Sequence, residues 1–369
     1  MFIKGMDIST LLEEEACGAK YYDNGVEQDL FDILKVYGTN SVRLRLWNDP
    51  YAPDGTPYGA GTNDLNKVIV LAGRAKKYQI GYLLDLHYSD FWADPGKQTT
   101  PKAWRGMNED ELEAAVYQYT KEVMQTLKDK DLLPEMVQVG NELTNGLLWP
   151  SGKKPEFDRI AKYLNAGIRA VREIQADIPI MIHLDNGGFN EMYVEWFDEF
   201  TKRAEPFDII GLSYYPFWHG TMEQLEFNMR DMARRYGKKL VIAETSMGFT
   251  MEDYRDREGK PLDQLKGMAT KPELVEKLDY PMTKDGQATF MKDLMELIAD
   301  IPGGEGFYYW EPAWIPVPGC GWATEAALAY TGEKGPGGNE WANQALFDYD
   351  GNALPALAVI RDFNEQNCK

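Results

Sequence analysis

Cysteine is scarce in this chain: three among 369 residues, at Cys17, Cys320 and Cys368. So sparse and odd a set is no disulfide framework, and without a C-x-x-C pair it suggests no bound metal. Positive charge is also in short supply. Asp and Glu number 59 against 39 Lys and Arg, a formal charge of −20, which opposes nucleic acid and anionic membrane as partners. No apolar run approaches the roughly 18–20 residues of a membrane span. The opening residues Met1–Asp7 hold no hydrophobic segment of secretory length. The resulting expectation is a cytoplasmic protein, although a secreted chain already stripped of its leader reads the same. Signature motifs are missing too. The first apolar run is followed by no G-x-G-x-x-G, and the chain has no P-loop, G-x-S-x-G or H-E-x-x-H. These absences speak against dinucleotide, phosphate, serine-hydrolase and zinc-protease chemistry.

What is present is a regular alternation. Eight short apolar runs read as strands: Phe2–Ile8, Ser41–Trp47, Ile80–His87, Met136–Asn141, Ile180–Leu184, Ile209–Tyr215, Leu240–Ala243 and Gly306–Trp310. Near-continuous hydrophobicity suits strands covered on both faces of a parallel sheet. Between them lie stretches with one apolar stripe at helical spacing: 28–37, 64–78, 109–129, 157–175, 192–202, 222–236, 287–299 and 353–364. Eight strand–helix units in this length predict a (β/α)₈ TIM barrel, taken as one domain over residues 1–369. Three long segments follow strands two, seven and eight, at 49–63, 246–286 and 311–345. All fall on the C-terminal face, where barrels build active sites.

Polar residues gather at the same strand ends. Arg43 and Arg45 share one face of the second strand. Asp85, His87 and Asp90 end the third, Asn141 and Glu142 the fourth, His183 and Asp185 the fifth. Ser213 and Tyr215 end the sixth, Glu244 the seventh, Trp310 and Glu311 the eighth. All three histidines, His87, His183 and His219, lie at or just after strand ends. So do nine of the ten tryptophans, Trp196 being the exception. Flat apolar rings on one rim suit stacking against sugar rings. Glu142 and Glu244 each end an apolar strand, where an ionised side chain is costly unless it is paired or functional. Two carboxylates facing across a cleft are what glycoside hydrolysis needs. His87, Asp90, Glu142, His183, Asp185 and Glu244 include metal-ligand types but not at close ligand spacing, so no metal is assigned.

These strings resemble a known family. Asn-Glu on strand four with a second Glu on strand seven is similar to the retaining glycosidase barrels of clan A. The whole chain resembles glycoside hydrolase family 53, the endo-β-1,4-galactanases. The resemblance runs through Val42–Trp47, Asp85–Pro95, Val139–Glu142, Gly146–Pro150, Met181–Asp185, Ser213–Pro216 and Tyr309–Trp314. It implies a retaining hydrolase of β-1,4-galactan, arabinogalactan and galacto-oligosaccharides, with Glu142 as acid/base and Glu244 as nucleophile. It further implies that Arg45 keeps Glu244 ionised, Asn141 holds the sugar 2-hydroxyl, Tyr215 orients the nucleophile and Trp310 floors the cleaved subsite. His87, Asp90, Trp92, His183, Asp185 and Trp314 would line the cleft and select an axial hydroxyl. Other clan A β-glycanases (mannanase, xylanase, glucanase) and a non-catalytic glycan-binding barrel are the alternatives. Related bacterial enzymes carry a calcium loop after strand seven. Here that region reads Asp253-Tyr254-Arg255-Asp256-Arg257-Glu258-Gly259-Lys260, and its basic residues oppose a calcium site. A monomer without cofactor, favouring short imported chains, is the expectation.

Overall fold

The computed structural model describes residues 1–258 and 268–365. Eight parallel strands close into a barrel: β1 (Ile3–Asp7), β2 (Ser41–Leu46), β3 (Gly81–Leu86), β4 (Met136–Val139), β5 (Ile180–Leu184), β6 (Ile209–Tyr214), β7 (Lys239–Thr245) and β8 (Gly304–Trp310). Neighbours in sequence are neighbours in the barrel, and β8 pairs back onto β1. The helices α1 (Leu30–Val36), α2 (Leu65–Lys77), α3 (Glu109–Asp129), α4 (Phe157–Ile174), α5 (Asn190–Phe200), α6 (Met222–Tyr236), α7 (Lys284–Asp300) and α8 (Pro355–Asp362) follow the strands in turn. Each element read from the sequence is therefore found, with ends moved by a few residues.

Those shifts have local causes. The first helix begins at Leu30 rather than residue 28 because Val26–Gln28 pairs with Tyr21–Asp23 in a small hairpin. Asp29 then caps the helix by accepting from the Phe31 N–H. Helix α3 starts at a reciprocal cap, in which Asn108 accepts from the Glu111 N–H and Glu111 accepts from the Asn108 N–H. Helix α6 has the same device at Thr221 and Gln224, and it stops at Gly237, which takes a left-handed conformation.

The barrel interior changes character along its axis. At the N-terminal end Leu83, Met136, Met181, Ile209, Val241 and Tyr308 pack into one apolar cluster, with Ile3 against it. Gly5 makes this filling possible: a Cβ there would come within 2.3 Å of the Tyr308 ring. Two to four residues further along, inward positions of six strands turn polar: Asp7, Arg43, Asp85, Gln138, His183 and Ser213, all buried. Alternation of side chains along each strand aims this second layer at the C-terminal mouth. Of the long segments, the one after β8 supplies Trp314, Trp322 and Trp341 to the cleft at that mouth, while among the described residues those after β2 and β7 supply none. The segment after β3 joins it with Trp92, Asp94 and Lys97, and sequence length alone had not marked that segment. Cys17 and Cys320 are free thiols, and Cys368 lies outside the described residues.

Candidate active site

Strand β4 ends in an abrupt reversal. Gly140 has φ 82°, and Glu142 itself sits in the left-handed region at φ 47°, ψ 58°. For a residue with a Cβ that conformation costs on the order of 1–3 kcal/mol. It lets Asn141 and Glu142, adjacent in sequence, both line one cleft. Across the mouth, β7 carries Glu244. The β6–β7 pairing slips by one residue, so that Leu212 opposes Ile242 but Ser213 opposes Glu244. Such bulges re-aim a side chain beside a site. One carboxylate oxygen of Glu142, one of Glu244 and a ring nitrogen of His183 all lie within 4.8 Å of one another.

The two carboxyls have different surroundings. The Arg43 guanidinium touches Glu244 Oε1 at 2.8 Å and Tyr215 Oη donates to Glu244 Oε2 at 2.9 Å. Among the described residues Glu142 has no cation in contact; Ser213 Oγ donates to its Oε1 at 2.7 Å. Burial raises both carboxyls above their ordinary range. For Glu142 the negative charges of Glu244 and Asp185 push further the same way, well above it. For Glu244 the Arg43 charge and the Tyr215 hydroxyl pull back. The pair is thus arranged to hold one proton, on Glu142.

The arginine beside Glu244 is Arg43, not Arg45 as the resemblance implied. Arg43 also reaches Asp7 at 2.8 Å, Asp85 at 2.9 Å and Asn141 Oδ1 at 2.9 Å. Arg45, two residues on, lies higher in the barrel and pairs with Glu311 at 2.5 Å. It underlies the aromatic wall, 4.4 Å from the Trp92 ring centroid. Both arginines face inward, and spacing alone could not say which one meets β7.

Other expected residues separate into two groups. Trp92, Asn141, Asp185, Tyr215, Trp310 and Trp314 line the cleft with the two glutamates, as do Arg45 and His87. Asn141 Oδ1 is taken by Arg43, and one amide hydrogen goes to the Ala93 carbonyl at 2.9 Å. The second amide hydrogen is left to face a ligand. His87 borders the cleft, but its Nε2 is held by Asp85 at 2.8 Å and its Nδ1 faces the Trp47 Nε1–H at 3.2 Å. It offers a ring edge rather than a polar contact. Asp185, pushed up to about 6 chiefly by burial, accepts from Thr144 and Asn186.

Asp90 and His183 are not cleft residues. Asp90 ties loops together, accepting from the backbone N–H groups of Asp49 and Lys102 and from Tyr330 Oη. His183 is fully buried behind Glu142. Its Nε2 lies 2.9 Å from Ser213 Oγ, and its Nδ1 is enclosed by Gln138, Asn141 and the Glu142 N–H. Burial keeps this ring neutral, with its pKa well below the ordinary value. Both nitrogens are occupied, so the cluster with Glu142 and Glu244 reads as two carboxylates and a supporting ring rather than a metal cage. In the run expected to reject calcium, Arg255 forms an ion pair with Asp253 at 2.6 Å. Gly259 and Lys260 of that run lie outside the described residues.

Sequence reasoning singled out no individual role for several residues of the wall. Trp218, Trp322 and Trp341 join Trp92, Trp310 and Trp314, making six tryptophans around one cleft of about 340 Å³. Trp341 stands 4.8 Å from Trp310 and 5.8 Å from Trp218. His219 lines it too, its Nδ1 3.0 Å from the Ser213 carbonyl oxygen. Their signal was present, since each lies after a strand end, but which rings converge is a property of the fold.

The profile of glycosyl hydrolase family 53 matches residues 3–360. The chain belongs to that family. This family 53 hydrolase is 39% identical over 380 residues to the endo-β-1,4-galactanase of Bacillus subtilis, covering 98% of this chain and 85% of that one. It is 37% identical over 321 residues to the arabinogalactan endo-β-1,4-galactanase A of Aspergillus niger, covering 85% of each. Among solved structures it superimposes on the family 53 catalytic domain of Ignisphaera aggregans with a TM-score of 0.88 and 41% identity, covering 98% and 95% of the two chains.

Proposed function

We propose that the protein is a retaining endo-β-1,4-galactanase acting on β-1,4-galactan, the galactan chains of arabinogalactan and galacto-oligosaccharides. The observation that carries this reading is the pair Glu142 and Glu244, close across the cleft with a cation on one side only. Retaining enzymes hold their carboxyls about 5–5.5 Å apart, and inverting ones leave room for water at about 6.5–9.5 Å. A pair whose nearest oxygens lie within 4.8 Å favours the first class.

The steps follow from the charges. Glu244, ionised beside Arg43, attacks the anomeric carbon while the glycosidic C–O bond breaks. Glu142 gives its proton to the departing oxygen. The sugar is now esterified to Glu244, and Glu142 is a carboxylate. It then takes a proton from water, whose oxygen attacks the same carbon and releases Glu244. Proton and nucleophile both come from side chains, so the chemistry calls for no cofactor. Six tryptophan faces exceed what one sugar ring can cover, which favours binding several units of a chain and cutting inside it. The relatives that are galactanases support galactose over xylose, mannose or glucose. A reducing-sugar assay on galactan, arabinogalactan, xylan, mannan and β-glucan tests the reading. Release from the first two alone is expected, and release from any of the others without galactan would overturn it.

A further inference from the structure

Among the described residues, three aromatic side chains are exposed: Phe189 at 42%, Trp218 at 36% and Phe227 at 62%. All three lie on one part of the rim, the segments after β5 and β6 and the second turn of α6. Trp218 is already a wall of the cleft. Phe189 sits beyond it, against Gly220, where a Cβ would come within 3.3 Å of the Phe189 ring. Phe189 and Phe227 then line one shallow groove with Gly188, Asn190, Glu191, Glu223 and Gln224.

This surface is held firmly. The Gly187 N–H donates to the Ser213 carbonyl at 2.9 Å and the Gly188 N–H to the His219 carbonyl at 3.0 Å. A Cβ on Gly188 would come within 2.2 Å of that His219 oxygen. Asn228 donates to the Gly187 carbonyl at 2.7 Å, and Asn190 reaches Asn228 and Asp231, each at 3.1 Å. The turn that carries Phe189 is thus tied, through Gly187, to Ser213, whose side chain bonds Glu142. Rigid, solvent-facing aromatics beside polar groups mark contact sites more often than scattered apolar residues do.

We infer that Phe189 and Phe227 extend the cleft past Trp218 as an outer binding surface for further units of the same galactan chain. This rests on the reading given above. Adjacency to the cleft argues for the glycan, since Gly188 of the groove bonds the carbonyl of His219, a cleft residue. So does charge: Glu191 and Glu223 border the groove as exposed carboxylates, able to accept from sugar hydroxyls and repelling anionic partners. A second copy of a chain carrying −20 would be repelled as well.

The experiment compares wild type with Phe189→Ala, Phe227→Ala and the double variant, on long galactan and on an aryl β-1,4-galactobioside that fills the cleft alone. Both side chains are exposed, and thermal melting of each variant reports its fold. The expected result is a KM for the polymer raised about threefold to tenfold in the double variant, the worth of aromatic contacts, with kcat unchanged and the galactobioside unaffected. Retardation in galactan-containing native gels should weaken in step. An unchanged polymer KM, or equal losses on both substrates, would overturn the inference while leaving the enzyme a galactanase. A wild type inactive on both substrates would instead remove the reading on which it rests.

Discussion

Replacing Ser213 by alanine tests the assignment of the acid/base without touching a carboxylate. Ser213 Oγ donates to Glu142 Oε1 at 2.7 Å and stands 2.9 Å from His183 Nε2. While Glu142 is neutral such a bond contributes about 0.5–1.5 kcal/mol, and once the carboxylate is ionised about 1.5–3 kcal/mol. The difference, roughly 1 kcal/mol or slightly more, is gained as the proton leaves for the glycosidic oxygen, so kcat/KM on galactan should fall about fivefold to tenfold. A dinitrophenyl galactoside, whose leaving group needs little protonation, should lose far less in the glycosylation step. The pH profile gives an independent sign. The Ser213 bond lowers the Glu142 pKa, so its removal raises that pKa further, and the basic limb of kcat/KM should move to higher pH. The change also leaves His183 Nε2 unpaired in a buried place, which should reduce stability by about 1–3 kcal/mol. Thermal melting and steady-state kinetics from pH 4 to 9 on both substrates make the assay. Equal loss on good and poor leaving groups with an unmoved basic limb would refute the reasoning and leave Ser213 a purely structural residue.

Arg43→Met should leave Asp7, Asp85 and Glu244 without their shared cation, costing about 3–5 kcal/mol of stability and moving the acid limb of kcat/KM upward. Arg45→Met should destabilise through Glu311 yet leave the acid limb in place, so the reverse pattern in pH-rate profiles would count against the pairing seen here. Activity and melting temperature should be unchanged by EDTA, since Arg255 occupies the Asp253 carboxylate; loss with EDTA and recovery with calcium would contradict this. Glu14 is fully buried, neither carboxyl oxygen has a hydrogen-bond partner of ordinary geometry, and burial raises its pKa well above the usual value. A raised carboxyl contributes stability that is complete below about pH 4.5 and is lost as pH climbs toward its folded value. Glu14→Gln should therefore gain in melting temperature relative to wild type between pH 5 and 8, and a constant difference would show that Glu14 does not titrate on unfolding.

The barrel was legible because every strand is an apolar run and every helix carries one stripe; periodicity is local. The candidate carboxyl pair was legible too, as Glu142 and Glu244 end such runs, where a carboxyl is out of place. What failed was the choice between Arg43 and Arg45. Both are inward positions of one strand, and only the stagger of β2 against β7 decides which guanidinium meets Glu244. His183 and Asp90 look the same in sequence as Asp185, a polar residue at a strand end. One turns behind Glu142, the second ties loops together and the third enters the cleft, as the local backbone dictates. The left-handed backbone of Glu142 and the slipped register at Ser213 leave no mark on composition or periodicity, although both aim the chemistry. Nothing in the sequence marks Phe189 and Phe227 as exposed, because exposure is settled by what packs around them.

The most direct test of the account is the stereochemistry of the first product. Galactotetraose hydrolysed in deuterated buffer and followed by proton NMR should show the β-anomer of the new reducing end first, with the α-anomer appearing only through mutarotation. That order is what a covalent intermediate on Glu244 resolved by Glu142 requires. An α-anomer formed first would mean single displacement, and would contradict the roles given to both carboxylates.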